Sequence, residues 1–287
     1  MVRNLKEPSC IVVTVDIEDW PQSTWDHSLE ITERAAYNTE KLLELLSVHQ
    51  QTVTMFVLGK FAEKFPKIIK RIASEGHEIA SHGYGHIEIF NQTPLQFRKD
   101  IGRAKELLED LIGKPVIGYR APDFSIISST IWAFEILAEQ GYEYDSSVFP
   151  IISARYGIAS WPVFPVCMQL KSGRSIVELP LSTIKAFGRN WPVSGGGYHR
   201  LLPSQIILWA IKQVHQAGRP FIAYCHPYEF DALEFDTLKN KIPLKTRLHQ
   251  GLGRQSFQPK FEKMLSFFEI VQARHVALEQ IWPAYTP

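Results

Sequence analysis

Two histidines four residues apart stand in the stretch Ser81-His82-Gly83-Tyr84-Gly85-His86. Neutral imidazole is the commonest protein ligand for a borderline-soft divalent metal, and this spacing lets two rings converge on one ion. The two intervening glycines call for a tight loop at a strand end rather than the middle of a helix. Such a pair also occurs as surface or packing histidines, so a metal site needs a carboxylate from elsewhere. The first apolar segment, Cys10-Ile-Val-Val-Thr-Val-Asp16, is short and β-branched, as a buried strand is. Strand alternation puts Val12, Thr14, Asp16 and Glu18 on one face, so two carboxylates meet at the end of a core strand. An N-cap or a salt-bridged strand end is the plainer alternative for an isolated aspartate.

The elements that must position these residues alternate. Helical spacing runs through Leu42, Leu43, Leu45, Leu46 and Val48, with Asn38 or Thr39 as cap. Residues 52–58 read as a strand, 61–75 as a helix and 78–81 as the strand that carries the histidines. Thr93-Pro94 opens a further helix, and 116–119 is a strand that delivers Arg120-Ala-Pro122-Asp123. A helix at 129–140 leads to Tyr144-Asp145. Residues 149–175 lack periodicity and read as an insertion. A strand at 175–179 precedes the glycine-rich stretch Gly195-Gly-Gly197-Tyr198-His199-Arg200. That stretch has neither a P-loop nor a dinucleotide fingerprint, and is either a substrate-lining loop or an ordinary surface turn. A helix at 203–217 and a strand over 221–225 end at His226. Residues 231–258 read as polar and irregular, with basic residues from Lys239 to Arg254, before a helix at 259–270. Strand–helix alternation predicts a parallel α/β sheet or barrel, whose reactive residues lie after the C-terminal strand ends. Asp16, His82, His86, Arg120 and Asp145 all fall there.

Composition narrows the class. The 287 residues carry 31 Lys plus Arg against 30 Asp plus Glu, which gives no electrostatic footprint for nucleic acid or an acidic membrane. Hydrophobic residues at 45% suffice for a sizeable core in one domain. Cys10, Cys167 and Cys225 are scattered and odd in number, which predicts no disulfide framework and a reducing compartment. No apolar run reaches membrane-spanning length, and the N-terminal residues lack a signal-peptide core. The expected location is cytoplasmic.

Five motifs occur in order: Val15-Asp16-Ile-Glu18-Asp19-Trp20, Ser81-His82-x-x-x-His86, Arg120-Ala-Pro122, Tyr144-Asp145-Ser-Ser147 and Cys225-His226-Pro227. Together the chain resembles the polysaccharide deacetylase superfamily with the NodB homology domain, carbohydrate esterase family 4. The finer likeness is to exosortase-associated exopolysaccharide deacetylases, near the allantoinase-like and Helicobacter-type peptidoglycan deacetylases. It rests on Arg-Ala-Pro-x-Phe-Ser-Ile at 120–126, Tyr-Asp-Ser-Ser-x-Phe-Pro at 144–150 and Gly-Gly-Gly-Tyr-x-Arg at 195–200.

The resemblance implies a single distorted (β/α) barrel with an insertion around 149–175 and a C-terminal helical extension from about 231. It implies a metal-dependent amide hydrolase acting on N-acetylated sugars, with zinc expected first and cobalt or nickel as alternatives. His82 and His86 would be ligands. The family's first motif has adjacent aspartates; here isoleucine intervenes, so the carboxylate ligand is Glu18 or, through a bulge, Asp19, with Glu18 preferred. Asp16 would be the general base, Arg120 its partner favouring the charged form, and His226 the general acid. Asp145 would hold that histidine protonated, and a backbone N–H near Tyr84 or Gly85 would donate to the oxyanion. Pro122, Asp123, Gly196, Gly197 and Tyr198 are candidate substrate contacts, with a capping or solvent-facing role as the alternative for Asp123; His27 and His199 are candidates for the groove. The expected activity is N-deacetylation of hexosamine units in an exopolysaccharide or its lipid-linked precursor. The rivals are an allantoinase-like amide hydrolase and an inactive carbohydrate-binding barrel.

Overall fold

The computed structural model describes residues 10–153, 155–238 and 242–287. The N-terminal residues read above for a signal peptide, and Lys239, lie outside these. The strands are β1 (Cys10–Ile17), β2 (Thr54–Val57), β3 (Glu78–Ser81), β4 (Gly118–Tyr119), β5 (Tyr144–Asp145), β6 (Val166–Gln169), β7 (Ser175–Glu178), β8 (Thr183–Ala186), β9 (Arg189–Pro192), β10 (Phe221–Cys225), β11 (Glu269–Val271) and β12 (Ala284–Tyr285). One sheet runs β10-β1-β2-β3-β4-β5-β7-β6-β12, parallel except between β6 and β7, while β11 pairs with the start of β1. Helices α1 (Glu33–Val48), α2 (Gly59–Lys64), α3 (Pro66–Ser74), α4 (Pro94–Ile112) and α5 (Ala133–Glu139) connect the parallel strands. This is the expected α/β architecture. Among the described residues the ladder ends at β10 and β12 without a strand pairing that closes it.

β1 shows why the strands sit where they do. Ile11, Val13, Val15 and Ile17 pack with Leu42, Leu43 and Leu46 of α1 in the helix-side core. Val12 joins Phe56, Ala80 and Tyr144 on the inner face, and Thr14 and Asp16 continue that inner row. Each fully buried branched side chain contributes roughly 1.5–3 kcal/mol, so a one-residue slip that exchanged the faces is prohibitive. Register therefore aims Asp16.

Several boundaries differ from the sequence expectation. α1 begins at Glu33, not at Asn38 or Thr39. Both lie buried inside it, Thr39 Oγ1 donating to Ala35 O (2.8 Å) and Asn38 Nδ2 to Asp231 Oδ2 (3.3 Å). The helix expected over 61–75 is two helices, because Pro66 lacks an N–H to continue α2 and opens α3. The insertion at 149–175 contains β6. After β10, the segment read as irregular holds α8 (Glu234–Leu238) and α9 (Leu244–Gly251), preceded in the chain by α6 (Gly196–Leu201) and α7 (Ser204–Gln216). Arg254 there is buried, its Nη1 donating to Glu234 Oε2 (2.5 Å) and Tyr228 O (2.8 Å). α10 (Phe257–Phe267) and α11 (Ala273–Leu278) complete the shell. No helix among the described residues is long and apolar enough to cross a membrane.

Candidate active site

The ends of β1, β3, β4 and β10 meet at one mouth of the sheet. Parallel pairing sets β1 between β10 and β2, with Val15 opposite Cys225 and Ile17 opposite Val57. Asp16 and Glu18 therefore emerge beside His226 on one side and, through β2 and β3, beside His82 on the other. They line a cavity of about 320 Å³ that also takes in His86, Asp123, Tyr156, Tyr198 and Arg200.

Glu18, His82 and His86 bring ligand atoms within 4.8 Å of one another, and all three are buried. Glu18 Oε2 lies 2.7 Å from His86 Nε2 and 3.4 Å from His82 Nε2. His82 Nδ1 lies 2.8 Å from Arg120 O, an acceptor only, so Nδ1 carries a proton and Nε2 is the nitrogen that faces Glu18. His86 reaches the trio from a left-handed backbone, φ 60°. Burial works to raise the Glu18 pKa, but His86, His226 and His82 hold it well below the usual carboxylate range. One charged carboxylate with two imidazole nitrogens facing it is a donor set suited to a divalent ion with an open position.

Asp16 is gripped from one side. Arg120, wholly buried, donates Nη1 to Asp16 Oδ1 and to Thr14 Oγ1 (both 2.7 Å). Its Nε and Nη2 donate to Ser146 O and Oγ (both 2.9 Å), and its guanidinium lies 4.1 Å over the Phe56 ring. The second Asp16 oxygen, Oδ2, is 4.0 Å from His226 Nε2. That nitrogen is 3.5 Å from Glu18 Oε1.

His226 stacks on Tyr228 with ring centroids 4.6 Å apart, and its Nδ1 is 3.8 Å from Glu229 Oε2. Burial alone would lower its pKa; Glu18, Glu229 and Asp16 outweigh burial and lift it to about 9. An ion on Glu18 would share that charge, leaving Glu229 as the carboxylate that stays with the histidine. The expectation for Asp145 is thereby corrected. Its carboxylate accepts from Ser147 N (2.9 Å) and Ser147 Oγ (2.6 Å) and faces the buried Glu178, holding the chain after β5. The sequence reading missed Glu229, although His226-Pro-Tyr-Glu229 has the spacing of a capping box, and Glu229 Oε2 does accept from His226 N (3.2 Å).

Residues 6–144 match the polysaccharide deacetylase family, and residues 146–278 match a domain of unknown function, DUF3473. Residues 6–144 carry a polysaccharide deacetylase domain. A peptidoglycan-N-acetylglucosamine deacetylase of Bacillus cereus is 39% identical over 98 residues, 34% of this chain and 36% of that protein. The match thus spans little more than a third of that relative's length. Among solved structures, a Mycobacterium smegmatis protein assigned to the polysaccharide deacetylases superposes with a TM-score of 0.62 at 22% identity, over 93% of this chain and 88% of that one. Puue allantoinase superposes with a TM-score of 0.62 at 14% identity, over 96% and 90%. These two likenesses show the shared fold. Within it the deacetylase stretch supplies Asp16, Glu18, His82, His86 and Arg120, whereas His226, Glu229 and Tyr198 come from the stretch of unknown function.

The other candidates separate by what they touch. Asp19 turns away from the trio: its Oδ2 accepts from Thr32 N (2.6 Å) at the start of α1, so it is not placed as a ligand. The N–H groups of Tyr84 and Gly85 are taken by the Asp100 carboxylate (2.8 and 3.2 Å), which removes them as oxyanion donors. Asp123 lines the cavity and pairs with Arg155, while Pro122 is buried and does not line it. Gly197 and Tyr198 line the cavity at the start of α6. His27 stacks against His86, centroids 5.5 Å apart.

Gly196 has a different role from substrate contact. A Cβ there would lie 1.6 Å from Glu229 Oε2, so glycine is what lets Glu229 lie under α6. Gly196→Ala is expected to destabilise by about 1–3 kcal/mol, visible as a drop of several degrees in thermal midpoint. An unchanged midpoint would mean that Glu229 moves freely. His199, a candidate for the groove, is buried, its Nε2 donating to Val193 O (3.0 Å). Burial pushes its pKa down to about 4 from 6.5. Its neutral form is the folded one, so this stability is present above pH 6.5 and lost as pH falls toward 4. The loss approaches about 3 kcal/mol. Urea unfolding of the wild type and His199→Gln across that window is expected to show the steeper decline in the wild type; parallel curves would remove His199 as the cause.

Proposed function

We propose that the chain is a metal-dependent hydrolase that removes N-acetyl groups from hexosamine units of an exopolysaccharide or its lipid-linked precursor. The observation that carries this reading is the convergence of Glu18, His82 and His86 with Asp16 and His226 around one cavity. An ion held by those three residues, zinc first, would supply Lewis acidity to polarise an acetamide carbonyl and acidify water. Asp16, through the Oδ2 that Arg120 leaves unengaged, would take a proton from the attacking water. His226 would give its Nε2 proton to the amine as the C–N bond breaks, releasing acetate and the free amino sugar. Glu229 would keep His226 protonated between turnovers. Action in the cytoplasm, and operation of residues 1–287 as one unit through the β1–β10 pairing, belong to the same proposal.

The test is acetate release from N-acetylated oligosaccharides by protein loaded with zinc, cobalt or nickel. Release that requires metal supports the reading. Hydrolysis of allantoin with no acetate from any N-acetylhexosamine oligomer would replace it.

A further inference from the structure

A second cavity of about 400 Å³ adjoins the first and shares Tyr156 and Tyr198 with it. Its remaining walls are Ile151–Ser153 and the β8–β9 hairpin, through Arg189, Asn190, Trp191 and Pro192. The hairpin is pinned down rather than loose: Asn190 Nδ2 donates to Pro150 O (2.8 Å). Trp191 is half exposed, and its one donor, Nε1, is spent on Ala186 O (3.0 Å) of the same hairpin. What the indole offers outward is therefore a fixed apolar face. Arg189 beside it has no carboxylate partner among the described residues, so its donors are available. A flat ring held rigid next to free hydrogen-bond donors suits a pyranose, which has an apolar C–H face and a rim of hydroxyls.

We infer that this cavity is a second sugar subsite that holds a neighbouring hexosamine of the same polymer, with Trp191 as its stacking platform. The inference rests on the deacetylase reading and deepens it. Tyr156 and Tyr198 line both cavities, so the second lies next to the candidate metal site on its hairpin side. A chain-like substrate would occupy both, and a single sugar only the first.

Isothermal titration calorimetry with an N-acetylglucosamine tetramer and with the monomer separates this from catalysis, because it needs no turnover. Trp191→Ala is expected to weaken tetramer binding about 10-fold and leave the monomer unchanged, with Trp191→Phe recovering part of the loss. Phe187→Ala, at the 97% exposed hairpin tip and away from both cavities, serves as the control and is expected to bind as the wild type does. Equal tetramer affinity in wild type and Trp191→Ala, or an equal loss for monomer and tetramer, would overturn the subsite. Trp191-dependent tetramer binding by a protein that releases no acetate would leave the subsite standing and overturn the catalytic reading instead.

Discussion

Asp16→Asn is expected to bind divalent metal as the wild type does and to release acetate about 10²–10⁴-fold more slowly. The substitution removes the proton acceptor while keeping the shape of the side chain. Its effect on folding has to be separated, because Arg120 is buried and loses its carboxylate partner. An uncompensated buried charge costs on the order of 3–5 kcal/mol. Here Thr14 Oγ1, Ser146 O and Ser146 Oγ still accept from the guanidinium, and an asparagine oxygen can face Nη1, so a smaller loss is expected. Thermal denaturation and metal content of the variant check both points. A folded, metal-loaded Asp16→Asn protein with wild-type turnover would remove Asp16 as the base.

The second large effect concerns the ion, and the two histidines are not equivalent for testing it. His82 Nδ1 holds the Arg120 carbonyl, so His82→Ala also unhooks the backbone after β4. His86 Nδ1 has no hydrogen-bond partner among the described residues, so His86→Ala removes a ligand and the ring contact with His27 without unhooking any backbone group. His86→Ala is expected to lower affinity for zinc by at least about 100-fold with the fold intact. His82→Ala should show the same loss together with about 1 kcal/mol of lowered stability. Competition with a chromogenic chelator measures the first quantity and urea unfolding the second. Stoichiometric, tightly held zinc in His86→Ala would place the ion elsewhere.

The parts of the site that sequence made legible are those fixed by local period. Strand alternation set Asp16 and Glu18 on one face, and the structure turns Asp19 to the start of α1. The glycines around Tyr84 placed both histidines on a loop after β3. What stayed hidden depends on partners distant in the chain. Asp100, sixteen residues on in α4, takes the Tyr84 N–H, and nothing local announces it. Asp145 and Glu229 are both carboxylates near strand ends; only the packing of Ser147 and Glu178 around one and of Gly196 against the other separates them. Caps misled for a related reason: Asn38 and Thr39 have the side chains of helix starts, yet Thr39 bonds to Ala35 O within α1 and Asn38 reaches Asp231, far on in the chain. Among the helices after β10, α9 offered no core-facing stripe to read, because none of its residues is fully buried.

The pairing of β1 with β10 has a consequence for how the protein is made. Thr14 Oγ1 donates to Ala223 O across 209 residues, and β11 pairs with Cys10–Val12 later still. Glu18, His82 and His86 are all synthesised within the first third of the chain, whereas His226 and Glu229 arrive long after them. A nascent chain therefore passes through a stage with every proposed metal ligand present, one flank of β1 unpaired, and no acid. Contacts this far apart are slow to close, and an unpaired apolar edge invites association with other chains. A chain that stopped between β9 and β10 would carry every proposed metal ligand and lack the proposed acid.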